Sequence, residues 1–243
     1  MRTLTFANRN LKEIIRDPLN LIFGLGFPLI LLLLLSAIQA NIPVSLFEVE
    51  HLTPGITVFG LSFMTLFSAT LISKDRNSAF FSRLYTTPLT AFDFILGYTL
   101  PILPVSVIQS VVCYIAAIIL GLKVNINIIY AILFIIPISL LYVAMGLLFG
   151  SFLSDKQVGG ICGALLTNLT AWMSGIWFDL DSVGGVFKKI SYLFPFVHAV
   201  ELERSVLKGC FDGTFNHLLW VLCYAVGLIF IAILVFLRQM KKQ

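Results

Sequence analysis

Residues 127–153 read NIIYAILFIIPISLLYVAMGLLFGSFL and contain no Asp, Glu, Lys or Arg. A helix rises about 1.5 Å per residue, so about 20 apolar residues cross a bilayer core about 30 Å thick. This stretch is therefore long and apolar enough to cross a membrane. Five further stretches share its character, at about 19–39, 54–73, 96–120, 158–177 and 216–238. The sequence predicts an all-α integral membrane protein with six transmembrane helices.

The composition of the whole chain agrees with a membrane protein. Of its 243 residues 59% are hydrophobic and 12% are charged, whereas soluble domains are about half apolar and about a quarter charged. The length allows one membrane domain, residues 1–243. The net charge of +4 is spread over several loops, so no nucleic-acid partner is expected. No C-x-x-C pair and no set of residues with metal-ligand spacing occurs, so we predict no metal and no cofactor in this chain.

The distribution of basic residues predicts the orientation in the membrane. Lys and Arg are enriched in the cytoplasmic loops of membrane proteins. The two chain ends and the loops on their side carry eleven Lys and Arg, and the loops on the opposite side carry five. The sequence therefore predicts a multi-pass protein of the cell (plasma) membrane with cytoplasmic N- and C-termini.

Residues 1–18 precede the first span, and their pattern predicts a helix on the inner membrane surface. Apolar residues recur at helical spacing and basic residues lie mostly opposite them, which suits contact with anionic headgroups. Phe6 falls outside this stripe. The alternative is that the segment only supplies the positive charge that flanks a first span. The stripe consists of Leu4, Ala7, Leu11, Ile14 and Ile15.

The connection 74–95 is longer than a link between two spans requires. Asp75 can cap a short helix, and Pro88 can end it. Thr90 and Asp93 form a capping box at the start of the next span. A helix of this kind either lies on lipid or docks on another protein. Its apolar side chains and the two Arg beside them are Phe80, Phe81, Leu84, Tyr85, Arg76 and Arg83.

The connection 178–215 is predicted to lie outside, and it is rich in apolar residues although no part of it is long enough to span. Two short amphipathic helices flank Pro195, which suits a re-entrant hairpin in the outer leaflet. Glu201 and Arg204, three residues apart on a helix, can pair. The alternative is a solvated surface helix. One face of the second helix carries His198, Glu201, Arg204 and Lys208.

Several polar side chains fall inside the predicted spans, where charge is almost absent. Such groups can line a substrate path, but more often they hydrogen-bond between helices and contribute about 1 kcal/mol each. Both interpretations stay open for Ser62, Thr65, Thr167, Asn168 and Thr170.

Three other functions agree with this composition. A secondary transporter is weakened because the two halves show no repeat in spacing or loop length. An intramembrane serine protease would need Ser174 and His217 as nucleophile and base, but Trp172 stands where the rhomboid motif has Gly. The third is an assembly subunit without transport activity. No G-x-x-x-x-G-K-[ST] loop occurs, so we predict no ATP site in this chain and assign no catalytic residue.

Two segments carry a resemblance to a known family. Residues 83–97 read RLYTTPLTAFDFILG, and residues 193–204 read LFPFVHAVELER. The first is similar to the Arg-containing loop, the Pro-Leu-Ser/Thr turn and the Gly-containing third helix of the permease (membrane-spanning) subunit of type-2 ABC exporters. The second resembles the Pro…Arg pattern of their outer hairpin. With the surface helix in front, the whole chain resembles such a permease.

The resemblance implies a transport subunit without its own ATPase site. A second permease copy, or a related permease, would complete a membrane dimer surrounded by lipids. Two separate nucleotide-binding ATPase subunits would hold ATP and Mg.

The coupling loop, residues 74–90, would be seated on the ATPase in this arrangement. The cargo would be hydrophobic or amphipathic (a drug, a peptide or a lipid-like molecule) and would leave the cell. Asn77, Ser78 and Ala79 stand where many members have an acidic residue and a Gly, so the contact is expected to differ in detail. The contact residues would be Asp75, Arg76, Phe80, Phe81, Arg83, Leu84, Tyr85 and Pro88.

Overall fold

The computed structural model describes residues 2–42, 47–78 and 90–240, with side chains as far as Arg238. Every regular element in this part of the chain is a helix, so the predicted all-α class is confirmed. Five helices are long and apolar enough to cross a membrane, and they match five of the six predicted spans. They are Pro18–Gln39, Val49–Arg76, Ala91–Ile119, Asn127–Phe152 and Thr214–Arg238.

Several of these spans are interrupted or extended, and short helices lie between them. In chain order the first elements are α1 (Arg2–Ile15), α2 (Pro18–Leu21), a first π-helical segment (Ile22–Gly26), α3 (Phe27–Gln39), α4 (Val49–Arg76), α5 (Ala91–Thr99) and α6 (Ile102–Ile119). The later elements are α7 (Asn127–Phe152), α8 (Asp155–Val158), a second π-helical segment (Gly159–Leu166), α9 (Thr167–Met173), α10 (Leu180–Val183), α11 (Gly185–Ser191), α12 (Pro195–Lys208) and α13 (Thr214–Met240).

The sixth predicted span, 158–177, corresponds to a less apolar run of helix. It consists of α8, the second π-helical segment and α9, which follow one another directly and are 4, 8 and 7 residues long. At 1.5 Å per residue the run is about 28 Å long. It ends at Met173, earlier than predicted, because Gly175 adopts a left-handed conformation with φ of 70° and turns the chain. That this run crosses the bilayer stays a prediction.

Helix α4 lies at the centre of the bundle. Of the residues in its most apolar 18-residue stretch 89% are buried, against 22% in the first span and 17% in the last. It approaches α7 closely, because a Cβ on Gly146 would lie 2.5 Å from the Cβ of Ser68 and one on Gly150 would meet Ala69. The four-residue spacing places both glycines on one face of α7, as in close helix pairs of membrane proteins. Small residues therefore allow α4 to be enclosed on most sides.

Helix α1 is present as predicted, but it buries a different face from the predicted stripe. Leu4 and Ile15 of that stripe are exposed. The shift follows from docking on α5, where Gly97 has no side chain and the ring of Phe6 fills the space. That the exposed stripe residues contact the inner membrane surface stays a prediction. The buried residues are Phe6, Ala7, Asn10 and Ile14.

One predicted helix start is confirmed and one is wrong. The capping box of Thr90 and Asp93 begins α5, and Gly209, with φ of 73°, ends α12. Asp75 does not cap a new helix, because α4 continues through Arg76 and places Asp75 in its last turn. Its carboxylate is therefore available for contacts with other helices.

Candidate functional site

The C-terminal end of α4 is held by a buried carboxylate, which we call the Asp75 clasp (Arg9, Asp75 and Tyr98). Both guanidinium NH groups of Arg9 donate to Asp75, at 2.5 and 2.7 Å, and the hydroxyl of Tyr98 donates to it at 2.8 Å. Burial disfavours the charge on Arg9, but its hydrogen bonds with Asp75 and its attraction to that carboxylate outweigh burial and raise the pKa of Arg9. The clasp joins α1, α4 and α5 at the start of the segment 74–90, which the sequence predicts to be the coupling loop.

A second set of contacts attaches α1 to α5 beside the clasp. The side-chain amide of Asn10 is buried and donates to the carbonyl of Gly97 at 2.9 Å. The ring of Phe6 packs edge-on against Tyr98, with ring centroids 5.0 Å apart. A Cβ on Gly97 would lie 2.1 Å from the Phe6 ring, so only glycine permits this approach. These contacts position Arg9 next to its carboxylate partner.

Arg76 holds the opposite side of the same helix end. Its guanidinium donates to the carbonyls of Ser151 and Leu153 at the end of α7, and a cation at the last carbonyls of a helix is favourable. The hydroxyl of Ser73 donates to Asp155, the first residue of α8, at 2.5 Å. The end of α4 is therefore fixed between α1 and α5 on one side and α7 and α8 on the other.

The structure places two of the predicted coupling residues and leaves six undescribed. Asp75 and Arg76 lie at the base of the loop and are turned into the helix bundle. The remaining six lie outside the described residues, and their contact with an ATPase stays a prediction. They are Phe80, Phe81, Arg83, Leu84, Tyr85 and Pro88.

A groove of about 450 Å³, which we call the aromatic groove, opens between the first span, α4 and α9. The rings of Phe27 and Phe63 meet edge-on at 5.8 Å, and those of Phe59 and Trp177 at 6.0 Å. Both π-helical segments border the groove. Its lining residues are Phe23, Phe27, Leu31, Phe59, Phe63, Leu66, Gly163, Thr167, Asn168, Ala171 and Trp177.

The predicted path residues fall into two groups. Thr167 and Asn168 line the aromatic groove, whereas Ser62, Thr65 and Thr170 are fully buried in the packing between helices. The hydroxyl of Ser62 donates to a carbonyl of its own helix at 2.7 Å, and that of Thr65 donates to a carbonyl of α7 at 2.8 Å. Thr65 therefore fits the alternative role, which is to hydrogen-bond between helices.

A second cavity of about 340 Å³ lies beyond one end of the aromatic groove, and we call it the outer cavity after the predicted outer hairpin that borders it. Trp177 lines both, so its ring stands where the two spaces meet. Carboxylates outnumber ammonium groups around the outer cavity, which gives it an acidic lining. Its residues are Glu48, Glu50, His51, Gly175, Ile176, Trp177, Phe178, Asp179 and Lys208.

The predicted ion pair of the outer hairpin is present. Arg204 donates to Glu201 at 2.9 Å, and its guanidinium also donates to the carbonyls of Gly175 at 3.0 Å and His51 at 3.4 Å. Arg204 is buried, so the alternative of a solvated face is wrong for this residue. Through these bonds, α12 is tied to two residues that line the outer cavity.

His198 of the same helix is also buried, and it attaches α12 to α13. Pro195 occupies the first turn of α12, where a missing backbone NH costs nothing. One turn later, the Nδ1 atom of His198 lies 2.9 Å from that of His217. The His198 ring also stacks on Trp220 at 4.8 Å. Of the predicted site residues of this hairpin, His198 and Arg204 therefore form contacts between α12 and other parts of the bundle, whereas Glu201 pairs within its own helix.

Ser174 and His217, the protease alternative, do not form a catalytic pair. The hydroxyl of Ser174 is buried and bonds to the carbonyl of Ala171 at 3.4 Å. The His217 ring contacts His198 instead. The described residues therefore do not bring this serine and histidine together as a nucleophile and base require.

Four residues that the sequence analysis missed occupy central positions: Arg9, Asn10, Tyr98 and Glu203. For two of them the sequence did carry a signal, which is a polar residue placed at helical spacing among the apolar residues of a buried helix face. Asn10 lies between Phe6 and Ile14 at intervals of four residues, and Glu203 lies four residues after Ala199 on the apolar face of α12. Arg9 and Tyr98 carried no such signal, since the partner that orders them is distant in the sequence.

The comparisons with known proteins agree with these features. No curated protein matches the sequence. The family model described as ABC-2 type transporter matches residues 1–207, which include the Asp75 clasp and the aromatic groove. The permeases of this family associate with a nucleotide-binding ATPase subunit and serve as the membrane subunit of a transporter. Since the match covers most of the chain, this protein belongs to the ABC-2 type transporter family as a membrane-spanning permease subunit.

Proposed function

We propose that this permease exports a hydrophobic or amphipathic substrate, such as a drug, a peptide or a lipid-like molecule. Two separate ATPase subunits, which bind ATP and Mg, supply the energy from the cytoplasmic side. A second copy of the chain, or a related permease, completes the membrane dimer. The coupling loop, residues 74–90, rests on the ATPase.

The observation that carries this proposal is the Asp75 clasp at the base of the coupling loop. Helix α4 is 28 residues long and unbroken, so it extends about 42 Å from its N-terminus to Arg76. Its last turn is held by Arg9, Tyr98 and the contacts of Arg76. A displacement of the loop therefore reaches α1, α4 and α5 together rather than a flexible linker.

The aromatic groove supports the proposed class of cargo. Phe59 and Phe63, which line it, belong to α4, so movement of α4 changes the shape of the groove directly. A volume of 450 Å³ is within the range of about 300–1,000 Å³ that small-molecule pockets have. The lining is apolar and aromatic except for Thr167 and Asn168, which can orient a polar group of the cargo.

The proposal is tested by coupling measurements on the assembled transporter. The permease is purified with the ATPase that accompanies it and is reconstituted in lipid. Phe81→Ala and Arg83→Ala should abolish the stimulation of ATP hydrolysis by the permease while insertion stays normal. Ser78→Ala, which lies within the loop but is not one of the eight predicted contact residues, is the control. Normal stimulation and normal transport in both loop variants would show that another segment contacts the ATPase.

The direction of transport needs a separate measurement. In inside-out vesicles an exporter accumulates a fluorescent lipophilic probe when ATP is added outside. Phe59→Ala and Phe63→Ala should change the accumulation of bulky aromatic probes, because both rings line the groove. Accumulation by right-side-out vesicles loaded with ATP, and none by inside-out vesicles, would reverse the proposed direction.

A further inference from the structure

Glu203 lies on the apolar face of α12, where its carboxyl group is fully buried. One of its oxygens, Oε1, accepts a hydrogen bond of 2.8 Å from the hydroxyl of Tyr114 on α6. The other oxygen, Oε2, has no hydrogen-bond partner among the described residues. This contact joins the outer hairpin to the third span. It is distinct from the Glu201–Arg204 pair, which uses a different face of α12.

Among the described residues, no Lys or Arg side chain forms an ion pair with the carboxyl group of Glu203. The guanidinium of the next residue, Arg204, is directed to Glu201 and to two backbone carbonyls. A buried carboxylate without a cation costs several kcal/mol, and proteins avoid this cost by protonating the group. Burial raises the pKa of Glu203 to about 8, although the hydrogen bond from Tyr114 acts in the opposite direction.

We propose that Glu203 is a proton-binding site, and that its bound proton keeps α12 docked in the helix bundle, where Tyr114 of α6 contacts the carboxyl group. In the neutral form, the carboxylic acid accepts from Tyr114 through Oε1 and carries the proton on Oε2. Loss of that proton leaves a buried negative charge whose one hydrogen-bond donor among the described residues is the Tyr114 hydroxyl. The undocked helix hydrates this charge, so alkaline conditions favour release of α12.

Besides Tyr114, other titratable groups face α12, but their hydrogen bonds are made with residues other than Glu203. His51 of α4 contacts Arg204 through its carbonyl, and His217 of α13 contacts His198. Neither histidine forms a hydrogen bond or an ion pair with Glu203 among the described residues. The charged groups of α12 itself, besides Glu203, are Glu201, Arg204 and Lys208, and the tyrosines close to it are Tyr114, Tyr142 and Tyr192.

The proton site has a consequence for the outer cavity. Helix α12 contributes Lys208 to its lining and holds Gly175 and His51 through Arg204. The same rigid helix thus carries Glu203 on one face and the ties to the outer cavity on the other. The shape of this cavity therefore depends on whether Glu203 holds its proton.

Infrared difference spectroscopy of the full-length permease in lipid nanodiscs tests the proposal on the wild type directly. A protonated carboxylic acid gives a carbonyl stretching band that a carboxylate lacks. We expect this band at neutral pH and expect it to disappear with a midpoint near pH 8. Glu203→Gln should remove it, whereas Glu201→Gln, the matched change on the other face, should leave it. Absence of the band from wild type at neutral pH would overturn the proposal.

A second variant tests the role of the tyrosine. Tyr114→Phe removes a hydrogen bond that stabilises the carboxylate, so the midpoint of the infrared titration should move to higher pH. A midpoint that stays in place, or moves down, would contradict the assigned contact. This outcome can be read even if Glu203→Gln does not insert, because it needs only the wild type and Tyr114→Phe.

Hydrogen–deuterium exchange measures the release of α12. At each pH, the exchange of α12 amides in wild type is divided by that in Glu203→Gln, which cancels the intrinsic dependence of exchange on pH. The ratio should rise as the pH increases from about 4.5, the ordinary value for a glutamate, to about 8, and it should level off above about 8. A ratio that is constant across this range would show that the proton does not hold the helix.

Discussion

Replacement of Arg9 by Gln should detach α1 from the bundle and weaken coupling. The variant leaves the buried carboxylate of Asp75 with Tyr98 as its remaining donor in the clasp. Breaking a fully buried ion pair costs about 3–5 kcal/mol, and an exposed pair contributes about 0–1 kcal/mol. The Asp75 side chain is 5% exposed and that of Arg9 34%, so we expect a loss of about 2 kcal/mol. The detached population of α1 should then rise about 30-fold.

Hydrogen–deuterium exchange of the α1 amides measures this population in lipid nanodiscs. Stimulation of the partner ATPase, measured on the same preparation, reports coupling. Lys12→Gln is the matched control, since it removes one positive charge from an exposed position of the same helix. It should leave both exchange and stimulation at the wild-type values.

The double variant Arg9→Gln with Asp75→Asn gives the decisive comparison. It removes the buried negative charge together with its partner, so it should recover most of the loss seen in Arg9→Gln alone. Wild-type exchange of α1 in Arg9→Gln would refute the reasoning, since the ion pair would then not hold the helix. Equal effects of Arg9→Gln and Lys12→Gln would refute it as well, because general charge attraction to lipid would explain both.

Three further predictions concern the packing, the groove and the outer hairpin. Gly146→Ala should lower the unfolding free energy by about 1–3 kcal/mol, because its new Cβ would meet a side chain of α4; Gly160→Ala, with open space around its Cβ, is the control in a thermal unfolding assay. Asn168→Leu should change which probes stimulate ATP hydrolysis without changing assembly, because it removes a polar group from the groove. Burial lowers the pKa of His198 in the docked helix below its ordinary value of about 6.5. As the pH falls below about 6.5, a proton therefore binds His198 more readily in the undocked helix, and docking of α12 weakens. Fluorescence of Trp220, which stacks on His198, should change at this acid step in wild type and not in His198→Gln.

Hydropathy predicted most of the fold because membrane solvation acts on every residue of a span. The stretch 127–153 illustrates this, since α7 ends one residue before the predicted boundary. The span 158–177 was harder, because Gly159, Gly160 and Gly163 reduce both its apolarity and the regularity of its helix. Composition alone does not show that such a run consists of an α-helical, a π-helical and a second α-helical segment that follow one another directly.

The contacts of the site were less predictable than the spans, for a different physical reason. Asp75 was assigned a local role, as a helix cap, because local sequence signals report local hydrogen bonds. Its actual partner, Arg9, lies 66 positions away, and their meeting depends on how α1 docks on α5. That docking depends in turn on Phe6 and the missing side chain of Gly97. The pair Glu201 and Arg204 was predictable because both residues belong to one helix turn.

The walls of the aromatic groove differ in stiffness, and this difference indicates which wall moves as a unit and which wall changes conformation in the proposed transport cycle. Helix α4 forms one wall, and it is buried on most sides and fixed at its end by Asp75 and Arg76. The first span and the α8–α9 run form the others, and each contains a π-helical segment whose wider turns are less favourable than α-helix. Gly160 in the second segment meets no neighbour, whereas Gly24 in the first is packed against a ring of α4. In the proposed cycle, a displacement of the coupling loop therefore moves α4 as a rigid unit. The turns around Gly160 are then the part of the groove wall that can change conformation most easily as the cargo passes.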